Sequence, residues 1–211
     1  NNSLSINSKK VPLDYYYYLD VLDSINIEYL YPAFESQISR MDSLGNNGYF
    51  FLSIMNSKLY QYNKALEYAL KYNNIKDFKT HQLIADIYFK MGYWDDALFN
   101  YHRSILSDNK NLNLKFRLAK CLIELKSYKK AIAILNNIID LDNYYEDAYY
   151  ELGKAYLLIE NYKKANEILT EYLLLSPNNK EGYYYLGVTY IKLNKFNFAK
   201  DAFNKVTFIE K

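Results

Sequence analysis

The sequence predicts an all-α solenoid of about five stacked helical hairpins, preceded by a helical N-terminal hairpin outside their pattern. Two observations predict this fold class. A block of two amphipathic helices around a polar turn, clearest at 146–179, recurs on both sides at a step of about 34 residues, which is typical of a helical-hairpin array. In addition, small and aromatic residues keep one register through the successive blocks.

The register depends on columns of residues that recur at the same step. A small residue marks each second helix, an aromatic residue marks each turn, and a branched apolar residue marks each first helix. Small residues beside large ones let two helices approach closely and interlock. The columns are Ala97, Ala131, Ala165 and Ala199; Trp94, Tyr128, Tyr162 and Phe196; and Ile84, Leu118, Leu152 and Leu186.

Residues 1–45 are predicted to form a leader and a helical N-terminal cap. Residues 1–11 are polar and unpatterned, whereas two helical patterns follow between Pro12 and Gly45, residues that suit a helix start and a helix end. Asp20 falls where the repeat needs leucine, so this pair is interpreted as a cap on the first repeat. A docking element is the alternative.

The remaining chain is predicted to be one array. Its connectors are rich in Asn, Asp and Ser, as tight polar turns are, and no long linker interrupts them. The array ends at Lys211 without a further polar helix, although terminal repeats normally need one. We therefore expect an apolar edge at Phe198, Phe208 and Ile209, which either is covered by a continuing chain or mediates self-association. The predicted hairpins are 46–77, 78–111, 112–145, 146–179 and 180–211.

The blocks resemble the tetratricopeptide-repeat (TPR) family over about residues 46–211. The family pattern has a large aromatic residue, Leu-Gly and Tyr on the first helix, then Ala and large apolar residues on the second, and a final Pro. The first copy departs most, with Asn56 in place of Tyr and Ala69 in place of a large apolar residue. The resemblance implies a right-handed solenoid. The best copy supplies Tyr149, Leu152, Gly153, Tyr156, Ala165, Leu169 and Pro177.

In the family that the chain resembles, first helices line a concave groove that binds an extended peptide or a single helix. The groove positions carried over to this chain are rich in rings, which anchor a partner, and in charges, which fix its register. The alternative is that the rings only pack against the next hairpin. The predicted partner-binding residues are Phe50, Lys79, Gln82, Asp86, Phe89, Phe116, Arg117, Lys120, Tyr150, Glu151, Lys154, Tyr184 and Tyr185.

One specialised binding mode of the family is disfavoured. Some members grip the terminal carboxylate of a peptide through Lys, Asn and Arg on three successive first helices. The matching positions here hold Phe50 with Ile54, then Leu83, then Asn113 with Arg117. Because only Arg117 suits that role, the sequence argues against a receptor for chaperone tails.

Composition argues against several other functions. The net charge is only +2, with 26 basic and 24 acidic residues interspersed, so neither nucleic acid nor an anionic membrane is a favoured partner. No apolar run is long enough to insert into a bilayer. The single cysteine, Cys121, cannot form an internal disulfide and lies among leucines, as a small buried hydrophobe would.

Residues for catalysis, metal binding or cofactor binding are sparse. The two histidines, His81 and His102, have no Cys or carboxylate at ligand spacing, and the six glycines never cluster. Glu124 and Glu151 lie on successive first helices, but acidic residues on solvated helix faces are common. We therefore expect no enzyme activity, no metal and no cofactor.

The expected function is a non-enzymatic scaffold that binds a peptide or helix of another protein in its groove. Two alternatives remain: a helical accessory subunit of a membrane or envelope complex, binding through its N-terminal hairpin or C-terminal edge, and a regulatory domain of a larger enzyme. The sequence begins with Asn1 instead of Met, so we expect that an upstream segment was removed. The expected location is a bacterial envelope or membrane-attached state, with the cytoplasm as the alternative.

Overall fold

The structure is a computed structural model that describes residues 31–32, 35–36, 45–72 and 78–209. All regular secondary structure in these residues is helical, which confirms the predicted all-α class. Most of the predicted leader and cap lies outside the described residues. The helices are α1 Gly45–Lys58, α2 Tyr62–Lys71, α3 Phe78–Met91, α4 Trp94–Ser107, α5 Leu112–Glu124, α6 Tyr128–Leu141, α7 Glu146–Leu158, α8 Tyr162–Leu175, α9 Lys180–Lys192 and α10 Phe196–Ile209.

The chain divides into two compact units between Met91 and Gly92. In the first unit, α1 packs on α2 and α2 packs on α3. In the second unit, each helix from α4 to α10 packs on the next one along the chain, and α7 also contacts both α5 and α9. The division falls inside the predicted hairpin 78–111, and the limits of the predicted hairpins stay predictions.

Small residues bring paired helices of the second unit close together. Ala131 and Ala165 are fully buried in α6 and α8. Gly153 of α7 lies so near α8 that a Cβ added there would be 2.7 Å from Cγ and Cδ2 of Leu169. In the same way, a Cβ at Gly187 would lie 2.7 Å from the ring of Phe203. Small residues on both helices of a hairpin therefore allow the helices to approach closely.

The first hairpin completes its core with a residue from before the repeats. The side chain of Asn56, where the TPR pattern has tyrosine, is fully buried, and its amide donates to the Leu52 carbonyl oxygen at 2.7 Å. The Tyr31 hydroxyl lies 3.1 Å from Asn56 Oδ1, and Tyr31 packs on Leu52 and Met55. Asn56, which departs from the TPR pattern, therefore has a hydrogen-bond partner that lies outside the repeats.

The turns inside the hairpins share one backbone conformation that the sequence did not reveal. One residue in each turn has a positive φ, between 56° and 79°. In four of the turns, the next residue donates back into the helix: Gln61 N to the Asn56 carbonyl oxygen at 2.8 Å, Ser127 N to that of Leu122 at 2.8 Å, Asn161 N to that of Tyr156 at 2.9 Å and Lys195 N to that of Tyr190 at 2.8 Å. This bond identifies a Schellman cap, which ends the first helix. The left-handed residues are Tyr60, Gly92, Lys126, Glu160 and Asn194.

We expect Glu160→Gly to raise the free energy of unfolding by about 1 kcal/mol, because glycine adopts a positive φ without the steric cost of a Cβ. Urea denaturation measures the change. The matched control is Gly92→Ala, where an added Cβ would meet nothing within 4 Å and only the backbone conformation is unfavourable. That control should lose a similar amount. A less stable Glu160→Gly variant would contradict the prediction.

Candidate partner-binding surface

In the first unit, three of the predicted groove residues belong to the core. Phe50 is fully buried, and its ring centroid lies 5.2 Å from that of Tyr72. Gln82 and Asp86 are also buried, because α3 is enclosed on every side along residues 80–87. This burial removes Phe50, Gln82 and Asp86 from any exposed surface. Lys79 and Phe89 are half-buried.

In the second unit, the first helices carry a repeated pair of a ring and a lysine. Lys120 Nζ lies 5.8 Å from the ring centroid of Phe116 on α5, and Lys154 Nζ lies 4.9 Å from that of Tyr150 on α7. Residues four apart share a helix face, and an ammonium within about 6 Å of a ring is attracted to it. We call the surface formed by these residues and their neighbours on α9 the aromatic row. It consists of Phe116, Lys120, Tyr150, Lys154, Tyr184 and Tyr185.

The aromatic row is continuous from α7 to α9. The ring centroids of Tyr150 and Tyr185 are 5.7 Å apart, and those of Tyr184 and Tyr185 are 5.4 Å apart. Tyr150 also packs on Tyr172 of α8, at 5.4 Å, whereas Tyr184 is 50% exposed. The row therefore contains one ring that packs between hairpins and another that is half-exposed to solvent.

The charged groups in and beside the row are held by neighbours within the chain. The Glu151 carboxylate is buried and forms an ion pair with Lys154 at 3.0 Å. Arg117 Nε donates to Asn113 Oδ1 at 2.7 Å, which orients its guanidinium on α5. Burial, followed by the proximity of Tyr185 and Glu151, raises the pKa of the Tyr150 phenol. Tyr150 is therefore a neutral hydroxyl at physiological pH.

We expect the protein to lose stability as the pH rises above about 10, the usual pKa of tyrosine. Burial raises the pKa of the Tyr150 and Tyr172 phenols, and a group with a raised folded pKa stabilises the fold fully only below its unfolded pKa. Urea denaturation between pH 8 and about 11 measures the loss. Tyr150→Phe should lose less than the wild type over this range, whereas Tyr144→Phe, at a 75% exposed side chain, should follow the wild type.

Cys121 is buried, as the sequence predicted, and its thiol donates to the Trp94 carbonyl oxygen at 3.0 Å. Burial raises the pKa of this thiol to about 12, so it is neutral and a poor nucleophile. His81 is buried and His102 is exposed. Within the described ranges, no group of three His, Cys, Asp or Glu side chains could hold a metal ion. The helices in the described part of the chain are also too short or too polar to cross a bilayer.

Two residues of the predicted C-terminal edge, Phe198 and Phe208, are exposed, but so are the corresponding positions inside the array. Phe208 is 75% exposed, but Leu174, at the corresponding position of α8, is 77% exposed within the array. Phe198 is exposed too and corresponds to the exposed Lys164, whereas Ile209 is half-buried. Phe198 and Phe208 are therefore exposed because they lie on the outer face of a second helix. Self-association through this edge stays a prediction.

Comparisons with known proteins identify the repeat and the fold. The family model for tetratricopeptide repeats matches residues 146–179, the block that defined the period, and the model for subunit 3 of the anaphase-promoting complex, or cyclosome, matches residues 58–138. No curated protein sequence matches the chain.

Solved structures of MamA proteins have similar folds. MamA from Desulfovibrio magneticus RS-1, residues 41 to the end, is 20% identical, with a TM-score of 0.74 over 79% of this chain and 95% of that one. A crystal structure of MamA is 20% identical, with a TM-score of 0.70 over 79% of this chain and 92% of that one. At this identity the likeness shows the fold alone. The chain therefore has an all-α solenoid fold, and its repeats match the tetratricopeptide-repeat family.

Proposed function

We propose that the protein is a non-enzymatic scaffold whose second unit binds a segment of a partner protein across α5, α7 and α9. The repeat family supports a protein-interaction scaffold, and folds of this type are generally non-enzymatic. One observation carries the choice of surface: the pair formed by Phe116 and Lys120 recurs on the next first helix as Tyr150 and Lys154. A half-exposed Tyr184 extends the same surface onto α9.

The mechanism that this geometry favours is preorganisation. Tyr150 is held between Tyr172 and Tyr185, and Lys154 is held by Glu151, so these side chains lose little further freedom when a partner binds. Rings supply most of the binding energy in such surfaces, while the charges fix the register of the partner. An extended peptide and a single amphipathic helix both fit this description.

Hydrogen exchange on a captured complex tests the proposal. The full chain is used to capture a partner, the bound segment is mapped, and amide protection is compared between the free and bound protein. We expect new protection on α5, α7 and α9, with α4, α6 and α8 unchanged. Protection confined to the second helices would overturn the proposed surface.

The second candidate is an accessory subunit that binds through the outer face of the second helices. Three large apolar side chains favour it: Leu106, Leu174 and Phe208, at corresponding positions of α4, α8 and α10, are all at least 75% exposed. Apolar surface of this kind often marks a protein contact. The same exchange experiment separates the two candidates, because this one predicts protection at the ends of α4, α8 and α10.

A further inference from the structure

We propose that the second unit binds the surface of an anionic lipid bilayer through the turns of its last two hairpins. We call these turns, residues 158–164 and 191–198, the hairpin tips. The inference goes beyond the proposed function, because the tips share no residue with the aromatic row and bind lipid instead of a protein segment. It rests on the position of the tips, their exposed apolar side chains and their charge.

The two hairpin tips lie on the same edge of the second unit. The chain reverses at each short connection: α7 ends at Leu158 and α8 begins at Tyr162, while α8 ends at Leu175 and α9 begins at Lys180. The first helices α7 and α9 therefore run parallel, and they contact each other. Their C-terminal ends are consequently neighbours, at the spacing of packed helices, about 10 Å. The connections between hairpins lie at the opposite edge.

Large apolar side chains are exposed at both hairpin tips. Phe196 is 64% exposed and Phe198 is 58% exposed, and Ile191 on the same tip is exposed as well. Leu158 and Ile159 are exposed on the other tip. Such side chains at the end of a hairpin can enter the headgroup region of a bilayer while the helices behind them stay outside it. The transfer of their apolar surface out of water then favours binding.

Lysines outnumber carboxylates at the hairpin tips. The exposed charged residues there are Lys163, Lys164, Lys192, Lys195 and Glu160. Just beyond the tips, Glu167 pairs with Lys164 at 2.7 Å, and the adjacent Lys200 and Asp201 have opposite charges. When these neighbours are included, the tips keep a net charge of +2. Lysines close to an anionic lipid surface strengthen binding, so the tips favour an anionic bilayer over a neutral one.

The charges of the second unit are separated between its two edges. At the edge that bears the tips, the terminal helical turns and their connections hold seven lysines and four carboxylates, a net charge of +3 over the described residues. Two of those carboxylates, Asp95 and Asp96, belong to α4, the helix farthest from the tips along the stack. The opposite edge, counted in the same way, holds three lysines and six carboxylates, four of them within residues 140–147.

This separation orients the protein at an anionic surface. The helices between the edges have 13 or 14 residues, so the edges lie about 20 Å apart, more than the Debye length of about 8 Å at physiological ionic strength. An anionic bilayer therefore attracts the edge with the tips, while the acidic edge faces away from it. The net charge of +2 for the whole chain argued against an anionic membrane, because a sum does not show how charges are distributed.

Cosedimentation of the full chain with lipid vesicles tests the proposal. The vesicles contain either phosphatidylcholine alone or equal parts of phosphatidylcholine and phosphatidylglycerol. We expect the mixed vesicles to bind the protein at least about 10-fold more tightly than the neutral ones, and added salt to weaken that binding. Equal binding to both kinds of vesicle would overturn the proposal. Absence of binding to the mixed vesicles would overturn it too, and would leave an acidic protein surface as the occupant of the tips.

Two variants separate the contributions of charge and apolar contact. Lys192→Glu/Lys195→Glu should weaken binding to the mixed vesicles at least about 10-fold, because it reverses the surplus charge of one tip. Ile191→Ala/Phe196→Ala should weaken it by a similar factor, because it removes apolar surface that enters the headgroup region. Circular dichroism verifies that each variant keeps its helical content.

Matched controls make the same changes away from the tips. Lys110→Glu/Lys205→Glu reverses two exposed lysines outside the tips, and Leu174→Ala/Phe208→Ala removes two exposed apolar side chains near the opposite edge. Both controls should bind the mixed vesicles as the wild type does. Equal losses in the tip variants and in their controls would overturn the assignment of binding to the tips.

The orientation of the protein on the bilayer has a separate readout. Cys121 is buried, so a cysteine introduced at an exposed position can be labelled selectively. An environment-sensitive fluorophore on Phe196→Cys should shift its emission to shorter wavelength when mixed vesicles are added, whereas the same label on Phe208→Cys should not. Equal shifts at both positions, or a shift at Phe208→Cys alone, would contradict the proposed orientation.

Discussion

Gly153→Val should lower the free energy of unfolding by about 3 kcal/mol, the largest effect on stability that we expect. Glycine inside a helix normally costs about 0.5–1 kcal/mol relative to alanine, so its replacement would stabilise an open site. Here even the first added carbon would lie 2.7 Å from Leu169, a side chain that is fully buried between helices. The helices α7 and α8 must separate or Leu169 must leave its position, and either change disrupts the core.

Urea denaturation measures this loss, and two further variants show its cause. The double variant Leu169→Ala/Gly153→Val should lose less free energy of unfolding than the two single variants added together, because the removed leucine side chain makes room for the valine. Ala119→Val tests the corresponding position one hairpin earlier, where a Cβ is already accommodated, so its cost should be smaller. A Gly153→Val variant as stable as the wild type would contradict the close contact between α7 and α8.

Phe116→Ala combined with Tyr150→Ala should weaken partner binding by at least about 30-fold, since buried ring anchors each contribute about 1–2 kcal/mol or more to an interface. Both rings are half-buried, so each has surface left for a guest. Isothermal titration calorimetry with a mapped partner segment measures the change. Circular dichroism should show the same helicity as the wild type, because both rings are only half-buried and the buried alanine and leucine columns stay intact.

The control for these two substitutions is a ring beside a cation on a second helix of a hairpin, outside the proposed surface. Arg103 lies 5.6 Å from the ring centroid of Phe99 on α4, and Phe99 is exposed. Phe99→Ala removes a similar ring from a second helix and should leave binding unchanged. Loss of binding with Phe99→Ala, together with full binding by the double variant, would move the binding surface to the outer face.

The helical hairpins could be predicted from the sequence, because the small and apolar residues that are buried in each hairpin recur with the period of the hairpins. Ala131 and Ala165 are buried for this reason, as the columns predicted. The left-handed turns were missed because Lys126 and Glu160 stand where glycine would have signalled a positive φ. The residue type does not indicate this backbone conformation, because several residue types adopt it within a Schellman cap.

The candidate site was predictable only in part. Family positions identified Phe116, Tyr150 and Tyr184, which lie on successive first helices of the second unit and keep exposed or half-buried rings. The same positions in the first unit hold Phe50 and Gln82, which are buried. A repeat pattern gives the orientation of a residue on its own helix, but exposure also depends on what else packs there. Contacts between helices, such as that of Tyr150 with a ring on α9, likewise depend on three-dimensional neighbours.

The contact between Tyr31 and Asn56 has a consequence for where the protein can be shortened. Alignment of the repeats suggests a natural cut near residue 46, yet a chain starting there would lose the phenol that covers Leu52 and Met55. It would also leave the Asn56 amide oxygen without the hydroxyl that now donates to it. The smallest independently stable fragment should therefore begin before Tyr31, so the evolutionary repeat and the autonomous folding unit have different boundaries.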